Sequence, residues 1–259
     1  MLGFSMKPLS IQLHTVREVA KDGNHLRVLQ EIADIGYKGV EGHGYGMTPT
    51  EFRKTVGDMG MVVSSYFGGF PDPDHINEFM DTANALGTKL TVSGFWVEEF
   101  ESLDAIKRTA ERVAPAVQTL KENGFTFGLH NHWMEFEMVE GKWAIQHLID
   151  LVPDLHLEID IYWCANFGEN DPAEVVKTYR DRAHLLHVKD GPLVRGEPHV
   201  AVGSGKMDIP TTLQAQNPDV TKWHVVELDE CATDMMAAVK DSYDYLVSNG
   251  LALGNRTVG

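Results

Sequence analysis

Short apolar runs alternate with longer amphipathic stretches along the whole chain. The longer stretches carry apolar residues three and four positions apart, as at Leu26, Leu29 and Ile32, which is the spacing of a helix face. The apolar runs predict eight strands, at residues 9–13, 39–41, 61–66, 89–93, 125–129, 156–159, 183–188 and 223–228. The amphipathic stretches predict eight helices, at residues 24–35, 48–59, 74–86, 103–122, 143–151, 172–179, 209–214 and 235–248.

This alternation of strand and helix, repeated eight times, is typical of a parallel sheet with crossover helices. A chain of 259 residues is close to the ~250 of a closed (β/α)8 barrel, and no linker-like segment divides it. We therefore predict the α/β class, with residues 1–259 forming a single (β/α)8 TIM barrel domain. An open doubly wound sheet is the alternative, but no GxGxxG motif follows the first strand, which argues against a dinucleotide-binding sheet.

The charge balance narrows the class of partner. Basic residues number 22 against 38 acidic ones, for a net charge of −16, and such a surface repels nucleic-acid backbones and anionic membranes. Cys164 and Cys231 form no CxxC motif, which favours a reducing compartment. The sequence has neither a run of ~20 apolar residues nor an apolar signal-peptide core at its start. We expect a cytoplasmic protein that acts on a small-molecule substrate. Its apolar helix faces also permit a homodimer.

Polar residues collect at the ends of the predicted strands, where (β/α)8 barrels carry their chemistry. Asp160, His187 and Glu227 interrupt the sixth, seventh and eighth strands, and such residues cost free energy inside an apolar strand unless they are paired or bind a metal. Mixed carboxylate and imidazole ligands suit Mn²⁺, Zn²⁺, Co²⁺ or Mg²⁺. The pattern therefore predicts one divalent metal ion at this end of the barrel.

Side-chain alternation adds a candidate acid or base. Lys189 lies two positions after His187 and faces the same way, as Glu158 does with Asp160. A bound cation beside Lys189 would lower its pKa, which suits proton transfer. The alternative is an ordinary ion pair between Lys189 and Glu158 or Glu227.

Further candidates for substrate binding follow the same strand ends. Tryptophan rings pack against the C–H faces of sugars, although each ring could equally well fill space above the barrel. The candidate substrate-binding residues are His14, Glu41, Trp96, His130, Trp133, Glu158 and Trp163.

Five segments resemble the sugar phosphate isomerase/epimerase group of the xylose isomerase-like TIM barrels. They are SIQLHTVR at 10–17, IGYKGVE at 35–41, HNHWMEF at 130–136, LEIDIYW at 157–163 and LHVKDG at 186–191. The resemblance covers nearly the whole chain. It implies a metal held from strands 5 to 8, with Asp160, His187 and Glu227 as the last three ligands.

The first ligand implied by the resemblance is a glutamate on strand 5, but Gly128 stands at that position here. We expect Glu135 to replace it, because a second carboxylate keeps the charge of the ligand set similar. His130 and His132 are the alternatives.

The resemblance also implies a reaction class. The metal of such enzymes stabilises the enediolate that forms when a base removes a proton beside a carbonyl. We expect an isomerase or epimerase of a keto-sugar or polyol, with Glu227 as the base and Lys189 and His132, or His14, as further acid/base groups. The alternatives are a dehydratase or lyase on an inosose or 3-keto-glycoside, and a sugar-binding barrel without catalysis. A barrel endonuclease is disfavoured by the acidic surface.

One glycine-rich segment, GSGK at 203–206, lies where a phosphate would bind after the seventh strand. A flexible loop leading into a short helix is the interpretation we favour for it. We therefore expect an unphosphorylated substrate.

Overall fold

A computed structural model describes residues 5–258 of the chain. Its barrel strands are β1 (Lys7–Gln12), β2 (Gly39–Glu41), β3 (Val62–Phe67), β4 (Leu90–Gly94), β5 (Thr126–His130), β6 (His156–Asp160), β7 (Ala183–Val188) and β8 (Trp223–Val226). Its helices are α1 (His25–Ile35), α2 (Pro49–Asp58), α3 (Ile76–Leu86), α4 (Leu103–Glu122), α5 (Ala144–Leu151), α6 (Pro172–Tyr179), α7 (Ile209–Gln214) and α8 (Met235–Ser248).

The eight strands form a closed parallel barrel. Each strand pairs in parallel with the next in sequence, and β8 returns to β1 with Leu9 opposite His224. The predicted α/β class and TIM barrel are thus confirmed, and the predicted elements agree with the observed ones to within about two residues. Two additions were not predicted. They are a small hairpin of Met138–Val139 with Lys142–Trp143, and a two-residue strand, Ala252–Leu253, beside β1.

Local sequence signals explain why the helices begin where they do. Thr48 and Glu51 form a reciprocal capping box at α2, and Pro49 occupies the first helical position, where no N–H is needed. Asp171 and Asp234 accept backbone N–H groups at the starts of α6 and α8. These caps fix the loops between strand ends and helices, which carry the candidate site.

The inside of the barrel changes character along β7 and β8. A small apolar cluster of Val92, Leu185 and Val225 fills its lower part. Two residues further along the same strands stand His187 and Glu227. The larger apolar core lies between the strands and the surrounding helices. Within residues 5–258, no helix combines the length and hydropathy that crossing a membrane requires.

Candidate metal centre

Four side chains from β5 to β8 converge at the C-terminal end of the barrel. His130, Asp160, His187 and Glu227 each offer a ligand atom, and these atoms all lie within 4.8 Å of one another. All four residues are buried. The strands therefore bring together Asp160, His187 and Glu227, as expected, and add His130.

His187 lies at the centre of this group. Its Nδ1 atom is 2.9 Å from Glu227 Oε2 and 4.0 Å from Asp160 Oδ2. Burial alone would lower the pKa of His187, but the carboxylates of Glu158, Glu41 and Glu227 outweigh it and raise this pKa well above its ordinary value. The surroundings of His187 therefore favour a positive charge.

Lys189 supplies a second positive charge one layer above His187. Its Nζ atom lies 2.8 Å from Glu227 Oε2, 2.9 Å from Asp229 Oδ2 and 3.0 Å from Asp160 Oδ2. Burial lowers the pKa of Lys189, but these three carboxylates raise it well above its ordinary value. From the sequence, we expect a bound cation to lower the pKa of Lys189. In the described part of the chain, the charged groups that contact the ammonium are carboxylates, and they raise its pKa instead. The alternative to proton transfer is an ion pair of Lys189 with Glu158 or Glu227. The structure shows this ion pair with Glu227, and among the described residues it shows none between Lys189 and Glu158.

The charges act in the opposite direction on Glu227. Burial raises the pKa of this carboxyl, but Lys189 and His187 hold it well below its ordinary value, so that Glu227 is ionised. Sequence reasoning had missed Asp229, the third partner of Lys189. The alternation along β8 could have revealed it, because Asp229 lies two positions after Glu227 and so continues the same face.

The donor set, and one carboxylate oxygen without a well-aligned hydrogen bond, fit a divalent cation. Asp160 Oδ1 accepts the backbone N–H groups of Tyr162 and Trp163 at 3.0 and 2.9 Å, which fixes the carboxylate. Among the described residues, no hydrogen bond reaches the buried Asp160 Oδ2, whose neighbouring cation is Lys189. Burial and His187 lower the pKa of His130, which keeps its imidazole neutral, the form that binds metals. These residues therefore suit Mn²⁺, Zn²⁺, Co²⁺ or Mg²⁺.

Glu135, the expected first ligand, lies outside the four-residue group. It is fully buried in a single helical turn, Met134–Phe136, and its Oε2 accepts the backbone N–H of His132 at 2.8 Å. Burial raises the pKa of Glu135 to about 8. The turn directs this carboxyl into the loop, and the structure brings His130 to the other three residues in its place.

Glu41 and Glu158 form a second group with His187, behind the first. Both carboxylates are fully buried. His187 Nε2 lies 2.6 Å from Glu41 Oε1 and 3.1 Å from Glu158 Oε2, and His130 Nδ1 lies 3.2 Å from the same Glu158 oxygen. The expected contact of Glu41 and Glu158 with substrate stays a prediction, and the contacts that the structure gives them are to the two histidines and, for Glu41, to Gln12 and Ser65.

Aromatic rings surround the mouth above the metal centre. The imidazole of His132 stacks on Trp96, with centroids 5.4 Å apart, and Trp96 is 68% exposed. Trp133 and Trp163 pack at 5.6 Å, and Lys189 Nζ lies 5.4 Å from the Trp163 ring. Burial lowers the pKa of His132 to about 4, so this histidine is neutral at pH 7.

His14 lies apart from these groups. It is exposed, in the turn Leu13–Val16, and donates its backbone N–H to the side chain of Gln12. In the part of the chain that the structure describes, His14 belongs neither to the group of four candidate ligands nor to the group of three. A contact with substrate stays a prediction for this residue.

The glycine-rich loop after β7 is closed by an internal carboxylate. Asp190 accepts backbone N–H groups from Gly191, Gly203, Gly205 and Met207, at 2.8 to 3.1 Å. A side chain at Gly205 would clash with the Asp190 carboxylate, which explains the glycine. The N–H groups of Gly203 and Gly205 are therefore already bonded to Asp190, and those of Ser204 and Lys206 donate to backbone carbonyls. Sequence reasoning had not identified Asp190 as the anchor of this loop.

Comparisons with known proteins agree with this fold. Residues 29–246 match the family model described as xylose isomerase-like TIM barrel. The chain is similar to a sugar phosphate isomerase/epimerase from Parabacteroides distasonis, with 24% identity, a TM-score of 0.76 and 95% of each chain covered. No curated protein matches the chain.

Two further solved structures show the same barrel. The chain is 16% identical to the IOLI protein with a binding zinc atom, with a TM-score of 0.72 and coverage of 93% of this chain and 97% of that one. It is 13% identical to the probable 3-DHS dehydratase AsbF from Bacillus anthracis, with a TM-score of 0.69 and coverage of 92% and 98%. At such identities the likeness shows the fold alone.

Proposed function

Because the chain belongs to the xylose isomerase-like TIM barrel family, we propose that it is a metal-dependent isomerase or epimerase of a keto-sugar or related polyol. The observation that carries this proposal is the convergence of His130, Asp160, His187 and Glu227 below a mouth lined by aromatic rings. Such a cluster of buried carboxylates is costly unless a cation accompanies it.

One divalent metal ion would be held by these four residues, with Mn²⁺ as our first choice and Zn²⁺, Co²⁺ or Mg²⁺ as alternatives. When bound, it supplies positive charge that polarises a carbonyl and stabilises the enediolate of the substrate. The similarity in fold to a structure with a binding zinc atom supports the proposal of a metal.

Glu227 is the proposed base. Its Oε2 atom is engaged by His187 and Lys189, so that Oε1 is the oxygen that would take a proton from the carbon beside the carbonyl. Lys189 holds a proton at Nζ and can donate it to a substrate oxygen. His132 is neutral at pH 7 and can accept a proton from a substrate hydroxyl. Return of a proton to the opposite face of the same carbon epimerises the sugar, and return of a proton to the neighbouring carbon isomerises it.

An unphosphorylated substrate suits this site. The backbone N–H groups of the glycine-rich loop donate to Asp190 or to backbone carbonyls and are not free for a phosphate. The rings of Trp96, Trp133 and Trp163 offer apolar faces to the C–H groups of a sugar. A neutral keto-sugar, inosose or 3-keto-glycoside fits this combination.

A lyase is the second candidate, and one distance favours it. Lys189 Nζ and Glu227 Oε2 lie 2.8 Å apart, so that an acid and a base occupy the same side of the site. Elimination from one face of a sugar needs this arrangement, because Glu227 would remove the proton while Lys189 protonates the departing oxygen.

A deuterium-exchange experiment tests the proposal and separates the two reactions. The Mn²⁺-loaded protein is incubated in D₂O with keto-sugars, inososes and 3-keto-glycosides, and products are followed by NMR and mass spectrometry. Deuterium beside the carbonyl of an isomer or epimer supports the proposal, and an unsaturated product supports the lyase. If no compound of the panel gives either result, catalysis is contradicted and a sugar-binding barrel is favoured.

A further inference from the structure

We infer that Glu41 is a positioning residue that holds the His187 imidazole in the tautomer and orientation needed for metal binding. This inference rests on the metal site proposed above. It concerns the strands on the opposite side of the barrel, β1 to β3, which contribute none of the four proposed ligands.

The carboxylate of Glu41 is fixed by donors on two neighbouring strands. Gln12 Nε2 donates to Glu41 Oε1 at 2.8 Å, and the hydroxyl of Ser65 donates to Oε2. The register of the sheet places Glu41 beside both residues. Glu41 itself is fully buried. Its two oxygens therefore have one orientation, set by β1 and β3.

The backbone of β2 aims Glu41 inward. The pairing of β2 with β3 shifts register between Val40 and Glu41, and Gly42 follows with a left-handed φ of 88°. An irregularity of this kind redirects a side chain, and such features are common next to active sites. The local strand geometry thus directs the Glu41 carboxylate across the barrel.

Across the barrel, Glu41 meets one particular nitrogen of His187. Nε2 lies 2.6 Å from Glu41 Oε1, whereas Nδ1 faces Glu227 and Asp160. A histidine that coordinates a metal through one nitrogen carries its proton on the other. An anionic acceptor at Nε2 keeps the proton there, so that the Nδ1 lone pair points at the metal position.

Glu158 approaches the same nitrogen but is less suited to orient it. Its Oε2 lies 3.1 Å from His187 Nε2, longer than the Glu41 contact. Among the described residues, no hydrogen-bond donor of good geometry fixes either oxygen of Glu158. Glu41, which has two such donors, is therefore the residue that determines the ring orientation.

Metal titration of the purified protein by calorimetry tests this role. Partners behind metal-binding histidines change metal affinity by about 10- to 100-fold. We expect Glu41→Gln to weaken Mn²⁺ and Zn²⁺ binding by about 10-fold and Glu41→Leu by about 100-fold. Ser65→Ala keeps every charge but releases Glu41 Oε2, and we expect it to weaken binding by less than the about 10-fold expected of Glu41→Gln. Ser10→Ala is the matched control, because it removes a buried hydrogen bond to Ser64 and leaves the partners of Glu41 in place.

NMR of the zinc-loaded protein labelled with ¹⁵N-histidine gives a second measurement, assigned with a His187→Gln variant. We expect a hydrogen-bonded Nε2–H signal from His187 in the wild type and in Ser10→Ala, and its loss or shift in both Glu41 variants. Wild-type affinity in Glu41→Gln, with that signal unchanged, would overturn the positioning role and leave the metal site intact. A wild-type protein that binds no metal would overturn both.

Discussion

His187 and His224 are both fully buried and lie on neighbouring strands, yet they respond to burial in opposite ways. His224 bonds to the neutral amide of Gln216 at 2.9 Å, and burial lowers its pKa to about 3. His187 lies among carboxylates, which raise its pKa well above the ordinary value despite the same burial. Burial penalises the positive charge of both histidines, but at His187 the neighbouring carboxylates outweigh that penalty.

The same contrast divides the buried carboxyl groups. Within residues 5–258, no cationic side chain forms an ion pair with Glu135, and burial raises its pKa to about 8. Lys189 and His187 instead keep the buried Glu227 ionised. The region around His187 is therefore built to hold positive charge. The positive charges of His187 and Lys189 balance the buried carboxylates there, and a divalent metal ion would do the same. Four substitutions test how this charged region differs from the rest of the core.

The largest effect is expected from Asp160→Asn, which removes a carboxylate from the ligand group. The amide oxygen can still accept the N–H groups of Tyr162 and Trp163, so the fold should be kept. We expect bound metal to fall to background and activity to fall by roughly 10⁴-fold. Elemental analysis and the deuterium-exchange assay measure both. Asp208→Asn, at the N-cap of α7, is the control. Retained metal in Asp160→Asn would exclude Asp160 as a ligand.

Lys189→Met should produce the next largest effect. Methionine keeps much of the volume but leaves Asp160, Glu227 and Asp229 without the ammonium that neutralises them. Removing one partner from a buried ionic group costs about 3–5 kcal/mol, and we expect this loss in the unfolding free energy of the metal-free protein. Denaturant unfolding with and without Mn²⁺ measures it. Added Mn²⁺ should stabilise the variant more than the wild type, and equal stabilisation would contradict this account.

The sequence could predict the barrel because strand and helix periodicities are local properties. It could also predict that Asp160, His187 and Glu227 converge, because parallel strands end on one side of a barrel. It could not decide between His130 and Glu135, since the turn Met134–Phe136 determines which of them reaches the cluster. The role of Glu41 depends on its contact across the barrel with His187, which lies 146 positions later in the sequence. Local sequence patterns do not predict contacts between residues so far apart in the chain.

His224 provides a smaller, pH-dependent effect. Its pKa is 6.5 in the unfolded chain and about 3 in the folded one, so that below pH 6.5 protons bind preferentially to the unfolded chain. The stability present above pH 6.5 is therefore lost progressively as the pH falls toward 3, by about 2 kcal/mol at pH 5. His224→Gln should flatten this part of the stability curve, as measured by denaturant unfolding between pH 5 and 7.5. Identical slopes in the two proteins would contradict the lowered pKa.

The smallest effect on the proposed metal site is expected from Glu135→Gln, which tests the boundary of the positively charged region. With a pKa of about 8, Glu135 is largely neutral at pH 7, and an amide oxygen can replace its hydrogen bond from the His132 N–H. We expect the metal content to be unchanged. Above pH 4.5 the unfolded chain loses the Glu135 proton, whereas the folded chain keeps it until about pH 8. The wild type is therefore destabilised progressively across this window, so that the variant should gain about 3 kcal/mol of relative stability between pH 5 and pH 8 and little more above it.

Calorimetric metal titration of Glu135→Gln at pH 7, and denaturant unfolding of the variant and the wild type between pH 5 and pH 8, measure both expectations. Loss of metal from this variant would show that Glu135 coordinates the ion, and His130 would then leave the proposed ligand set. Retained metal, together with its loss from His130→Ala, would instead establish that an imidazole from β5 stands where the family resemblance implies a carboxylate. A ligand set with one carboxylate fewer carries less negative charge. That difference would favour zinc or cobalt over magnesium, because imidazole suits the former and oxygen ligands suit the latter.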